Sequence, residues 1–70
     1  MEWKASFNTR ERAQNVAAIY SGMIYDDQEI TVDLEGDYDV ILQNVSYDLL
    51  QKHIVPMWIE GGMISIKPTF

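Results

Sequence analysis

Cysteine is absent from this chain, which excludes disulfides and every thiolate metal centre. Histidine occurs once, at His53, too few for most zinc geometries. No apolar run approaches the roughly 18 residues that a membrane span requires, so no membrane contact is expected. The opening "MEWKASFN" has no apolar core behind a basic start, and a cytoplasmic location is expected from that. Positive charge is also scarce. The cations are Lys4, Arg10, Arg12, Lys52 and Lys67, and none falls between residues 13 and 51. A surface that bound DNA or RNA directly would carry the opposite balance, so no direct nucleic-acid partner is expected.

What is present is a chain of 70 residues with a formal net charge of −6. This length makes a single domain, residues 1–70, that buries only about 60% of the surface its unfolded chain exposes. Without disulfides or a metal, either its core is efficient or another chain completes it. An apolar fraction of 47% is that of a folded domain.

"EWKASF" alternates, with Trp3, Ala5 and Phe7 on one side, the period of a half-buried strand. "NTRE" has the form of a capping box, with Asn8 as the cap and Glu11 reaching back. A helix is expected from there to about Ser21, burying Ala13, Val16, Ala17 and Tyr20, with Gly22 just past its end. "EITVDLEGDYDVILQ", residues 29–43, predicts a β-hairpin. A loop of Glu35, Gly36 and Asp37 pairs Leu34 with Tyr38, Val32 with Val40, and Ile30 with Leu42, keeping the apolar set on one face. Glycine is wanted third in such a loop, and Asp37 stands there.

Ser46 caps a second helix that uses Leu49, Leu50, His53 and Ile54 for its buried side. Pro56 inside that helix would cost about 3 kcal/mol, and it biases Val55 toward extended geometry. Gly61-Gly62 between two apolar runs signals a tight hairpin. The preferred reading therefore makes residues 55–67 two strands, with Val55, Met57, Ile59, Ile64 and Ile66 facing the core and Trp58 and Met63 facing out. The expected fold is α+β, a mostly antiparallel sheet of four to five strands with two helices, in the order β-α-β-β-α-β-β. The alternative continues the helix to Ile59 and gives the ferredoxin-like order β-α-β-β-α-β.

Seven acids lie between Asp26 and Asp39. In the expected register Glu29, Asp33 and Asp39 share one side of the hairpin, Asp33 directly across from Asp39, with Glu35 and Asp37 at the tip. The competing readings of this acidic face are plain solvation, a calcium site and a surface for a basic partner. The calcium-loop pattern fails, because glycine and glutamate should stand where this chain has Tyr38 and Asn44. Trp58 and Met63 together suggest either a patch under a helix or an interface anchor.

No catalytic set emerges. Ser46 and His53 are two helical turns apart, beyond hydrogen-bond reach, and Gly22, Gly36, Gly61 and Gly62 form no phosphate loop. No catalytic, cofactor-binding or metal-ligating residue is expected. The partner-binding candidates are Glu29, Asp33, Glu35, Asp37, Asp39, Trp58 and Met63. They point to a non-catalytic acidic module, an inhibitor or modulator that occupies a basic, nucleic-acid-binding site on a larger protein.

"FNTRERAQNVAAIY" leading to "EITVDLEGDYDVIL" resembles the Pcc1-type small subunits of the tRNA threonylcarbamoyladenosine complex over about the first 50 residues. Those have a strand, a helix, a hairpin and a second helix, and act by dimerising and docking on larger subunits. The resemblance implies the alternative function, a small accessory or oligomer-forming subunit, with a homodimer among its partners.

Overall fold

The computed structural model describes residues 2–25 and 27–69; Asp26, one of the seven acids, lies outside them. The fold is a small α+β domain. Strand β1 (Glu2–Phe7) leads to helix α1 (Arg10–Tyr20), a two-strand ribbon of β2 (Ile24–Tyr25) and β3 (Gln28–Glu29), and a hairpin of β4 (Thr31–Glu35) and β5 (Asp39–Gln43). Helix α2 (residues 47–60) and strand β6 (Met63–Pro68) complete it. The main sheet has the order β4-β5-β1-β6, antiparallel throughout. With the small ribbon set aside, the element order is the β-α-β-β-α-β of ferredoxin-like domains.

Alternation in β1 does what its sequence period requires. Trp3, Ala5 and Phe7 are buried, while Glu2, Lys4 and Ser6 lie on the opposite, wet face. The α1 stripe of Ala13, Val16, Ala17 and Tyr20 is buried as its spacing predicts. Its cap is one residue later than expected: Thr9, not Asn8, accepts from the Arg12 N–H at 3.1 Å. Asn8 instead continues the chain path of β1, its own N–H donating to the Gly62 carbonyl.

The hairpin keeps its faces but not its register. Val32 pairs with Leu42 and Leu34 with Val40, and the loop is Gly36, Asp37 and Tyr38, closed by Glu35 opposite Asp39. Two causes are visible. Gly36 takes the left-handed conformation (φ 68°) at the first loop position, so Asp37 need not adopt it. The Tyr38 carbonyl accepts from Phe7 of β1, which draws Tyr38 away from Leu34. Because the slip amounts to two residues, Val32, Val40 and Leu42 stay on the core side, whereas Leu34 and Tyr38, both expected inward, stand exposed, Tyr38 now within the loop.

The strand pair expected over residues 55–67 is absent. Val55–Glu60 is helical, and Gly61 and Gly62 close the helix, their N–H groups donating to the carbonyls of Met57 and Ile59. Pro56 is accommodated upstream rather than by ending the helix. Residues Leu50–Ile54 form a π-helical turn, and the Val55 N–H reaches back to Leu50. Widening that turn moves the Lys52 carbonyl, four residues before Pro56, out of the ring's way and removes the need for a proline N–H.

Continuing the helix inverts the expected faces. Trp58 is fully buried and Met63 nearly so, whereas Met57, Ile59 and Ile64 are exposed. Neither Trp58 nor Met63 can be an outward partner-binding residue. The Trp58 ring lies 5.8 Å from that of Phe7 and 5.7 Å, edge-on, from that of Tyr20. His53, expected on the buried side, is exposed and stacks on Tyr25 of β2 at 5.6 Å. The total surface of 4356 Å² is close to the ~4500 Å² expected of a compact monomer of 8.1 kDa. The core is closed within one chain.

The Trp58 indole N–H is buried without a partner among the described residues, whereas that of Trp3 donates to the Val45 carbonyl at 3.1 Å. Trp58→Ala should lose about 3–5 kcal/mol in urea denaturation. Trp58→Phe should lose much less, because it also removes a desolvated donor that costs about 1–3 kcal/mol. Equal losses would mean that the indole N–H has a partner after all.

Gly62 has φ 99°, and a Cβ there would collide with Cδ of Arg12 and stand 2.8 Å from Asn8 Oδ1. Gly62→Ala should therefore destabilise by about 1–3 kcal/mol. Adding Arg12→Ala should return the part of that loss due to Arg12 and leave the parts due to Asn8 and to the backbone.

Candidate partner-binding surface

The acids of the hairpin do not gather as expected. Asp33 lies opposite Ile41, and the residue across from Asp39 is Glu35. Glu29 belongs to the separate ribbon, opposite Ile24. Glu35 and Asp39 sit on the wet sheet face beside Lys4, whose Nζ is 3.9 Å from Glu35 and 3.5 Å from Asp39. At the loop, Arg10 reaches Asp37 at 3.9 Å. Three of the five acidic candidates are thus matched by cations of their own chain. Such exposed pairs add at most about 1 kcal/mol each, but they remove charge that a basic partner would have to find free. Glu29 and Asp33 make no ion pair among the described residues.

The Ser6 hydroxyl donates to Asp39 Oδ1 at 2.7 Å. That hydrogen bond first, and the nearby Lys4 ammonium second, hold the Asp39 carboxyl below its ordinary value despite some desolvation. Glu2 is also held low, first by the Thr69 hydroxyl and then by the Gln43 amide. A depressed carboxyl stabilises the fold fully above its unfolded value and loses that contribution as pH falls through the folded one. Tm should therefore drop on acidification below about pH 4, and Asp39→Asn should flatten that part of the profile. An unchanged profile would count against the Ser6 and Lys4 contacts.

A depression of about 320 Å³ opens on the wet face between Glu2, Lys4, Glu35, Ile41 and Thr69. Within it Lys4 pairs with Glu35, and Glu2 accepts from Thr69 and Gln43. Among the described residues no three His, Cys, Asp or Glu side chains converge as a metal site would require. Among them, too, no helix is long and apolar enough to cross a membrane.

The surface features that sequence reasoning missed are aliphatic. Ile19, at 62% exposure, stands on the last turn of α1, outside the stripe of Ala13, Val16, Ala17 and Tyr20. Met23 and Ile24 follow, the latter 68% exposed. The Met23 N–H donates to the Tyr20 carbonyl across the turn that Ser21 and Gly22 make. Ile19 was legible as the one large aliphatic off the helical stripe; Met23 and Ile24 carried no comparable signal. Ile59 of α2 and Ile64 of β6, the strand at one edge of the sheet, are also exposed. Ile64 is the extra residue where the β1–β6 register shifts, and such a bulge turns a side chain outward.

The chain matches no family model, no curated protein and no solved structure.

Proposed function

We propose that this chain is a non-catalytic, cytoplasmic binding module that occupies a basic site on a larger protein. The observation that carries this reading is the uneven balance of charge. Lys4, Arg10 and Lys52 are engaged by Glu35, Asp39, Asp37 and Asp48, while Asp27, Glu29 and Asp33 stand without an ion pair among the described residues, in a segment that has no cation. The usable acidic surface is therefore the ribbon and the β4 edge, not the hairpin tip. Uncompensated charge of one sign speeds encounter with an opposite surface and sets its register.

A second reading, an accessory or self-associating subunit, is favoured by the exposed Ile59 of α2 and Ile64 of the edge strand β6. It is favoured also by the helix that runs through Pro56, which supplies the strand, helix, hairpin and second helix that the resemblance above implies.

Salt and substitution separate the two. Immobilised chain in an extract of the native host should retain one protein in stoichiometric amount at low ionic strength and release it as salt rises. Glu29→Gln with Asp33→Asn should weaken retention, and Ile64→Ser should not. Retention that ignores salt and disappears with Ile64→Ser would replace the first reading with the second.

A further inference from the structure

The main sheet ends in β4 on one side, and its register fixes which way that strand's backbone points. The Phe7 N–H donates to the Tyr38 carbonyl, and the same antiparallel register pairs Ala5 with Val40 and Trp3 with Leu42. Val40 and Leu42 therefore turn their peptide groups to β1, and Asp39, Ile41 and Gln43 turn theirs to β4. The partners of those three are Glu35, Asp33 and Thr31. Val32 and Leu34, lying between, direct N–H and C=O away from the sheet. Ile30, one step earlier in the same alternation, confirms the direction, because its N–H donates to the Met23 carbonyl outside β4. Among the described residues no backbone carbonyl accepts from Val32 or Leu34.

Met23 occupies the start of this edge, and the far end is open. Val32 is buried, whereas Asp33, Leu34 and Glu35 are exposed, Leu34 to 47%. Alternation puts Asp33 and Glu35 on the wet face and Leu34 on the face that carries the core. Glu35 has Lys4 at 3.9 Å, and Asp33 makes no ion pair among the described residues. The open stretch thus presents a backbone donor and acceptor, an aliphatic side chain on one face and an uncompensated carboxylate on the other.

Resting on the proposed reading of a basic partner, we infer that β4 takes that partner as an added antiparallel strand, an extended segment in which lysine or arginine alternates with aliphatic residues. Pairing with Leu34 puts the incoming residue across from Asp33 at a non-hydrogen-bonded position, where side chains approach most closely. A cation there meets Asp33 on the wet face, and the next residue lies beside Leu34 on the other. A neutral strand would draw Asp33 partly out of water with no partner, which costs binding energy. A second copy of the chain does not fit. Bonding Leu34 to Val32 or Leu34 of another β4 sets Asp33 across from Asp33 or Glu35, like charges directly opposed. The opposite edge strand, β6, is blunted by Lys67, Pro68 and the bulge.

The test is selection from a random peptide library displayed on phage, panned against the full chain. A synthetic peptide from the enriched clones is then titrated while amide hydrogen exchange is followed residue by residue. Enriched peptides should alternate lysine or arginine with aliphatic residues, and binding should slow exchange of the Leu34 amide. Leu34→Pro deletes an N–H that no bond of the fold uses, and should weaken binding about tenfold. Asp33→Asn should weaken it about fivefold and lessen its dependence on salt. Should Leu34→Pro lower Tm, the exchange of the Leu34 amide in the parent chain and the Asp33→Asn titration decide. Basic peptides that bind but leave the Leu34 amide exchanging freely would overturn the added strand and leave the basic-partner reading standing. Peptides that protect Leu34 yet show no basic bias and ignore Asp33→Asn would overturn the basic-partner reading. No enrichment would overturn β4 as a docking edge.

Discussion

Trp58 lies between Phe7 of β1 and Tyr20 of α1, and this three-ring contact joins the sheet to both helices. It forms only if α2 runs unbroken to its last turn. Had the chain turned into a strand at Pro56, Trp58 would stand on the opposite side from the core, and a large part of the apolar filling would be lost. The π-helical turn at Leu50–Ile54 is thus a structural requirement. It lets one proline stay inside a helix whose end must deliver an indole. Gly61 and Gly62 follow from the same demand, because the chain must close the helix and enter β6 while passing against Val16 and Arg12 of α1.

How much of this could be read in the residues depends on how local each cause is. β1 and the buried stripe of α1 depend on spacing alone, and spacing is written in the chain. The hairpin's faces were legible for the same reason. Its register was not, because the competing bond comes from Phe7, some thirty positions from Tyr38 in sequence. The second helix failed for a different reason. Proline's penalty is real, but it is assessed against an ideal α-helix, and a single wider turn upstream avoids it. That remedy leaves no mark in composition, and the burial of Trp58 that favours it is a tertiary effect. The misplacement of Trp58 and Met63 as outward residues follows entirely from that one step.

The acidic surface was half legible. Counting charges along the chain located the deficit correctly, since residues 13 to 51 hold no cation. Counting could not show that Lys4 and Arg10, from the first strand and helix, fold onto the hairpin and its loop. Sheet order decides this, because β5 pairs with β1 and sets Lys4 beside Asp39. The same pairing that fixes the core therefore matches Glu35 and Asp39 with Lys4. Within residues 13 to 51 it leaves Asp27, Glu29 and Asp33 without an ion pair among the described residues.

A domain whose core is already closed gains nothing in stability from further exposed aliphatics. Single exposed apolar residues are ordinary on any surface. Ile24 differs in standing opposite Glu29 on the ribbon, a carboxylate that makes no ion pair among the described residues. Such a carboxylate acts in two directions. Mutual repulsion between copies of a chain with net charge −6 opposes contact between their acidic surfaces. The same charge favours approach by a surface of opposite sign. Acid beside aliphatic thus permits one kind of contact and opposes another, and solubility and selectivity come from the same side chains.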